Sequence, residues 1–570
     1  MRHPHRGSAP ALAMAAFATA SLIAPLPDVG QAKAAETGGH GTLDIGISQF
    51  PENFHPNIES MAAKFFVLDM AHRHITYYDE DWERQCQLCT ELPTFDNGRA
   101  VLEETPDGEE GVAVTYDLDP DAQWGDGTPI TTDDIVFTWE AGRHDASSFR
   151  DSELYRTIYD ITVHDEHSFT VHRDRVTYTY NLLNDMRPLP AHLEQELFED
   201  DPREYRHRTL YDADTTNPGL YFGPYRVAEV ETGSHILLEA NETWHGDPPY
   251  FDRIVVRTVE DTSALEANLL SGEIDMIEGS LGLSVTQALQ FEDRHGDGYV
   301  VDFVPGLVYE HIDINLDNPL LDDHRVRHAL LYALDRQSLV DELFAGEQPV
   351  AHSNVSPLDR GHYEDVPRYE HDPELAADLL DEAGFTEMQD GVRATPDGET
   401  LTLTLQTTAG DRTREMVQQV LQSQWSDVGI EIRIDNEPAR VFFGTTMQER
   451  RFEALGLYAW IAAPENVPRP QLHSTEIPTE DNNWSGQNYP GYRSEDMDAA
   501  IEAAESEIDD DARLDHWATI QRLYAEDLPV LPLFFRAYPY ILPDWLEGLT
   551  PTGHLHAPSN HVEQWRRSDL

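Results

Sequence analysis

The sequence predicts an α/β protein of two or three lobes whose chain segments interleave. Three observations carry this. At 570 residues the chain is longer than one hydrophobic core serves. Residues 401–434 run strand, helix, strand (401–407, 413–428, 430–434), an order that pairs strands in parallel. Glycine and proline punctuate the chain evenly, with no repeat and no low-complexity linker, so the lobes share returning segments.

Composition narrows the class. Hydrophobic residues make up 40%, and 10 Trp, 23 Tyr and 21 Phe suffice for large cores, so this is not a disordered chain. Against 39 basic residues stand 106 acidic ones, a formal charge of −67, and the only lysines are Lys33 and Lys64. Such a charge repels nucleic acid and anionic membrane, which excludes both as partners. The acids are spread along the whole chain. That fits a lysine-poor surface adapted to high salt, where screening lengths fall to a few ångströms. A sink for cations is the functional reading of the same charge.

The N-terminus reads as a signal peptide over residues 1–34. Arg2 and Arg6 give the positive region, 11–26 the apolar one, and Ala32-Lys33-Ala34 a cleavage site before Ala35. No cysteine follows the apolar stretch, so a lipoprotein is not expected. No later run reaches the about 18 apolar residues of a membrane span. The mature protein is expected to be soluble and exported to a periplasm. The only cysteines form Cys86-Gln-Leu-Cys89. A local disulfide, two unpaired thiols and a redox or metal-binding pair all stay open, although zinc needs two more ligands and no second pair exists.

Local patterns place the remaining elements. Leu43, Ile45 and Ile47 alternate as a first strand, and the loop Pro51–Asn57 leads to a helix over 60–70. Val112, Val114, Tyr116 and Leu118 alternate in a hairpin strand, and Asp126-Gly127 makes a tight turn before a helix capped by Thr132. Strands alternate over 225–258, and a helix over 262–270 follows. In 318–346, Val326, Ala329, Leu330, Ala333 and Leu334 form one apolar helical stripe, capped by Asp322 or Asp323. Asp335 caps a second helix bearing Leu339, Val340, Leu343 and Phe344, and Gly346 suits a left-handed C-cap. Asp372 caps another helix, which Gly384 ends.

Several of these stretches also resemble one family. Asn318-Pro319, the acids, Arg325-x-Arg327 and Tyr332-Ala-Leu-Asp-Arg336 match a signature of the extracytoplasmic solute-binding proteins of ABC importers, family 5, the dipeptide, oligopeptide and nickel type. Trp124-x-Asp126-Gly127-x-Pro129 with Thr131, Asp134 and Phe137 is similar to a second hallmark, departing from it at Asp133, where the family has Ala. Gly223-Pro224-Tyr225, Gly272-x-x-Asp275 and the 372–385 helix are also similar, so the resemblance spans nearly the whole mature chain.

The resemblance implies a periplasmic-binding-protein type II fold: two lobes joined by hinge strands, plus an accessory α/β subdomain. It divides the chain into lobe I (35–78, 209–306 and 536–570), the accessory subdomain (79–208) and lobe II (307–535). It implies a binding protein with no catalytic residues and no cofactor, acting as a monomer. A peptide or peptide-like solute is captured between the lobes and handed to the transmembrane subunits of a permease with a cytoplasmic ATPase. A metal or metal chelate, as in nickel-type members, is the alternative cargo. An exported hydrolase is a further rival, but the chain has neither a G-x-S-x-G elbow nor an H-E-x-x-H helix.

For the site, the resemblance points to the loop after the first strand, hence Phe50, Asn53 and Phe54, with ordinary loop packing as the rival reading. It also points to 454–492. Peptide binders of the family carry an acid shortly after the tryptophan, to pair with the peptide α-amino group. Here Trp460 is followed by Ile461, Ala462, Ala463 and Pro464, and the first acid is Glu465. That displacement leaves the cargo class open and makes Glu465 a candidate cation anchor. Asn483, Trp484 and Tyr489 complete the candidates, since aromatic walls with a few polar groups suit a cleft. Core or loop packing is their rival reading.

Overall fold

Two long antiparallel strands, Tyr299–Ile314 and Val530–Pro543, run side by side through the middle of a ten-stranded mixed sheet. This computed structural model describes residues 41–570 except 80, 145, 151, 462–466, 554–557 and 569–570. From one edge the sheet runs Glu431–Ile434, Thr402–Gln406, Leu455–Ile461 and then the long pair. It continues through Met276–Ile277, Thr42–Ile47, Arg253–Thr258, His235–Ala240 and Tyr225–Glu231.

The long strands have two halves. Residues 299–305 pair with 537–543, next to Met276–Ile277, whereas 309–313 pair with 530–535 and 308–314 with 455–461. Register breaks fall between Pro305 and Tyr309 and between Glu310 and His311, where the halves meet. Each half carries its own core. One gathers residues from Leu43 to Val256 with Tyr540, Leu542, Val562 and Trp565. The other runs from Val285 to Ala537.

Local sequence explains the elements around them. Strand Thr42–Ile47 is flanked by parallel strands on both sides, and Leu43, Ile45 and Ile47 are fully buried. Gly46 packs closely there, and a Cβ would force the buried side-chain ends of Ile274 and Leu265 to shift. Helix His324–Tyr332 is capped by Asp323, and Val326, Ala329 and Leu330 are buried on its inner face. Asp335 caps Arg336–Phe344 by accepting the Ser338 amide hydrogen at 2.8 Å. The left-handed C-cap of that helix is Ala345, with Gly346 also at positive φ, so the turn begins one residue before the glycine. Asp372 caps Pro373–Glu382, and Gly384 takes positive φ beyond it.

A separate four-stranded antiparallel sheet, Ala100–Glu104, Glu110–Asp117, Ser168–Arg173 and Ile158–Val163 in spatial order, packs with helices Thr132–Arg143 and Ala191–Asp200. The cap of the first helix is Thr131, reciprocated by Asp134, one residue earlier than the sequence suggests. The Thr132 hydroxyl donates instead to the Asp165 carbonyl at 3.0 Å. Asp133, the departure from the family pattern, is exposed. Cys86 and Cys89 are joined in a disulfide. Among the described residues no helix is long and apolar enough to cross a membrane.

At the junction of the halves, Glu310 is 3% exposed and held by two arginines. Arg536 Nε donates to its Oε1 at 2.8 Å, and Arg414 reaches both carboxylate oxygens at 3.2 Å. Burial alone pushes this carboxyl up, but Arg536 and Arg414 outweigh burial and hold it below the usual carboxylate range. Its stabilising contribution is therefore complete above the ordinary glutamate value of about 4.3 and is lost as pH falls through the lower folded-state value. Replacing Glu310 by Gln removes the buried carboxylate that Arg414 and Arg536 share. We expect a loss of about 3 kcal/mol at neutral pH in urea unfolding. The deficit relative to wild type should narrow only below about pH 4.

Candidate ligand-binding site

Successive side chains of a strand face opposite ways, so the strand that puts Glu310 on one side of the sheet puts Tyr309, His311 and Asp313 on the other. Strand Leu455–Ile461 sets Trp460 beside Tyr309 and Tyr458 beside His311. These rings pack closely. His311 stacks on Tyr309 with centroids 4.7 Å apart, and the edge of Tyr458 meets His311 at 4.5 Å. The Tyr458 hydroxyl donates to Asp313 Oδ2 at 2.6 Å. Burial, and then the charge of Asp313, push the Tyr458 pKa well up, so this phenol keeps its proton. The hydroxyls of Tyr309 and Tyr524 are hydrogen-bonded to each other.

Both ring nitrogens of His311 face acceptors, and Nδ1 lies 3.1 Å from the Tyr309 carbonyl. Nε2 is buried without a hydrogen-bond partner, 3.4 Å from Asp313 Oδ1. His311 and Asp313 are 1% and 2% exposed.

These side chains floor a cavity of about 750 Å³, its mouth included. Residues 354–359 form one wall, with Trp460, Gln471 and Trp517 among the others. Asn354 Oδ1 and Trp517 Nε1 are also buried there without partners. Three unpaired polar atoms thus belong to residues around one cavity, where a bound solute can satisfy them. A second cavity, of about 850 Å³, lies on the Glu310 face between residues 279–286 and 411–417.

The region carrying the four-stranded sheet reaches the same neighbourhood. Tyr178 joins the hydrophobic cluster of Tyr309, Val355 and Trp517, and its amide donates to the Glu505 carbonyl at 3.3 Å. Asp510, in the first turn of helix Asp510–Asp527, takes Arg84 and Arg513 at 3.0 Å each and has Arg360 at 3.5 Å. Burial raises the Asp510 carboxyl, but the hydrogen bond from Arg513 and the charges of Arg84 and Arg360 bring it below its usual value.

Of the residues singled out in the sequence, Trp460 lines the cavity, and Tyr489 stacks behind it with centroids 6.0 Å apart. Tyr489 is buried, and its hydroxyl donates to Gln448 at 3.1 Å. Asn483 and Trp484 sit at positive φ in a tight turn away from the cavity lining, Asn483 exposed and Trp484 half-buried. Phe50 is half-buried against the first core, and Phe54 lies within it. Asn53 bridges Glu59 (2.9 Å) and the Nζ of Lys64 (3.2 Å). Lys64 is buried and donates also to the carbonyls of His55, Ile58 and Glu59. Burial, with Arg150 and Arg187 nearby, pulls its pKa down to about 7. Glu465 lies outside the described residues.

Sequence reasoning passed over His311 and Asp313. Their signal was present as two ionisable residues at alternate positions of an otherwise apolar strand. Asn354, Asp359 and Trp517 gave no local signal.

The architecture, two cores spanned by a pair of long strands with a polar pocket beside them, is that of a two-lobed binding protein. Comparison with known proteins makes the class specific. The model of the bacterial extracellular solute-binding proteins, family 5 (middle region), matches residues 101–479, more than half of the chain. The protein belongs to this family, one of substrate-binding proteins rather than enzymes. Oligopeptide-binding protein AppA of Bacillus subtilis is 24% identical over 537 residues, 92% of this chain and 91% of AppA. The oligopeptide-binding protein of Thermus thermophilus, solved with a pentapeptide, superimposes with a TM-score of 0.70 at 27% identity, covering 92% and 96% of the two chains. NikZ of Campylobacter jejuni, solved with Ni(L-His), shares the fold at a TM-score of 0.70 and 21% identity, covering 92% and 99%. The fold is thus the periplasmic-binding-protein type II α/β fold.

Asp510 ties together segments far apart in the chain. A double-mutant cycle on Arg84→Ala and Asp510→Ala should give a coupling of about 1 kcal/mol. Hydrogen exchange should rise around residues 178–181 and at the start of the helix Asp510–Asp527, with the central sheet still protected.

Proposed function

We propose that this protein is the extracytoplasmic receptor of an ABC importer. It takes a peptide or peptide-like solute into the pocket over Tyr309, His311 and Asp313 and presents it to a membrane permease. The observation that carries the reading is the set of unpaired buried polar atoms around a cavity with tryptophan walls, in a chain of a solute-binding family. Oligopeptide-binding relatives across nearly the full length support peptide as the cargo class. Closure of the lobes about the long strands buries the cargo and shapes the surface that the permease reads. The chain makes and breaks no covalent bonds in this role.

The protein works as an exported monomer, delivered by its N-terminal signal peptide to a periplasm, with an acidic surface suited to high salt. Trp460 is the aromatic wall of the site, with Tyr489 as its support, and Glu465 follows on the same segment. Metal or chelate cargo is the second reading. Among the described residues no three His, Cys, Asp or Glu side chains gather as a ligand set would, and elemental analysis of the purified protein tests that reading directly.

Native mass spectrometry before and after mild unfolding should release a peptide-sized organic mass. Trp460→Ala should weaken peptide binding about tenfold, near 1.4 kcal/mol, in calorimetric titration. Peptide turnover, or a stoichiometric bound metal with no organic mass, would refute the proposal.

A further inference from the structure

The pocket has a surplus of acceptors. When Nδ1 carries its hydrogen toward the Tyr309 carbonyl, His311 Nε2 and Asp313 Oδ1 are two acceptors 3.4 Å apart. Asn354 Oδ1 is a third unpaired acceptor, and Trp517 Nε1 is the one unpaired donor among the described lining atoms. Charge points the same way. The lining carries two acids, Asp313 and Asp359, and among its described residues neither lysine nor arginine. Arg336, buried close by, spends its guanidinium on the carbonyls of Ala351, Pro532 and Tyr369. Asp313 accepts one hydrogen bond, from Tyr458, although a buried carboxylate has room for several. Leaving such a group under-satisfied is costly, and a matched cation relieves it.

We infer that the cargo presents a cationic group with several N–H donors, an alkylammonium or guanidinium, which seats between His311 Nε2 and Asp313 Oδ1. One hydrogen goes to each, and the charge is opposed by Asp313. Trp460 and Trp517 pack along the alkyl stem. On the proposed reading of this cavity as the peptide site, the favoured cargo is a peptide bearing a lysine or arginine side chain. A neutral or acidic residue at that position leaves the acceptors unpaired, and a site built to hydrogen-bond a group discriminates strongly against its absence.

The experiment is calorimetric titration of the full exported chain with Ala-Lys-Ala, Ala-norleucine-Ala, Ala-Glu-Ala and, as a non-peptide amine, cadaverine. We expect the lysine peptide to bind at least tenfold more tightly than the norleucine peptide, and the glutamate peptide to bind most weakly. The lysine preference should shrink to threefold or less in Asp313→Asn, whose fold is checked by circular dichroism. Should that variant not fold, His311→Phe removes the other acceptor, keeps a ring against Tyr309, and should also cut the preference. Equal binding of the lysine and norleucine peptides by wild type, as an internal His311 imidazolium–Asp313 pair would produce, overturns the cation inference while peptide binding stands. So does a preference that survives in a folded variant. Cadaverine binding that is lost in the variant, with no peptide bound, keeps the cation site and removes the peptide reading. Failure of all four ligands on wild type overturns both.

Discussion

The junction of the two long strands is the constraint on which the rest of this structure depends. Strands Tyr299–Ile314 and Val530–Pro543 pass between the two cores as one antiparallel ribbon, and their register breaks at Glu310. In a chain with 106 acidic and 39 basic residues, arginines are scarce, yet two of them converge on this buried carboxylate. The parity of the strand does the rest. With Glu310 turned to Arg414 and Arg536, residues 309, 311 and 313 must face the opposite side and form the pocket floor. A slip of one residue would bury Glu310 in the pocket and carry Asp313 toward the arginines, so register is strongly specified here.

The pocket joins parts of different character. Its floor is sheet, where Tyr309, His311, Tyr458 and Trp460 hold one another by ring contacts along two paired strands. Its wall is the irregular segment 354–359, braced by Asp359 accepting the Gly361 amide at 2.7 Å. A rigid floor with a loop wall is a common division of labour, because the scaffold positions polar atoms and the loop adapts to the ligand. The Asp510 cluster brings a third part of the chain against this wall region.

The acidic surface and the buried polar groups respond differently to solvent. Exposed pairs such as Arg175–Asp174 are screened within a few ångströms at high salt. The Glu310 cluster and the Tyr458–Asp313 hydrogen bond lie inside and keep their strength where the surface loses much of its field. Lys64, the sole lysine of the described residues, is buried.

The sequence by itself determined the class of architecture, most helix boundaries and the family. Those features rest on local chemistry that a linear reading captures: apolar periodicity over 324–344, acidic caps at Asp323, Asp335 and Asp372, and the turn at Gly127. Even there the caps at Thr131 and Ala345 fell one residue from their sequence positions, because final hydrogen bonds choose among adjacent candidates. For the pocket, the linear signal stopped at Trp460, an aromatic in a stretch set by resemblance. His311, Asp313, Asn354, Asp359 and Trp517 stand up to 206 residues apart, from 311 to 517, and each is ordinary in its own neighbourhood. Only strand pairing between 308–314 and 455–461, and the packing of the helix Asp510–Asp527 and the 354–359 loop against it, decided that these groups share one cavity. An unpaired buried acceptor is a property of surroundings, and surroundings exist only once the chain has folded.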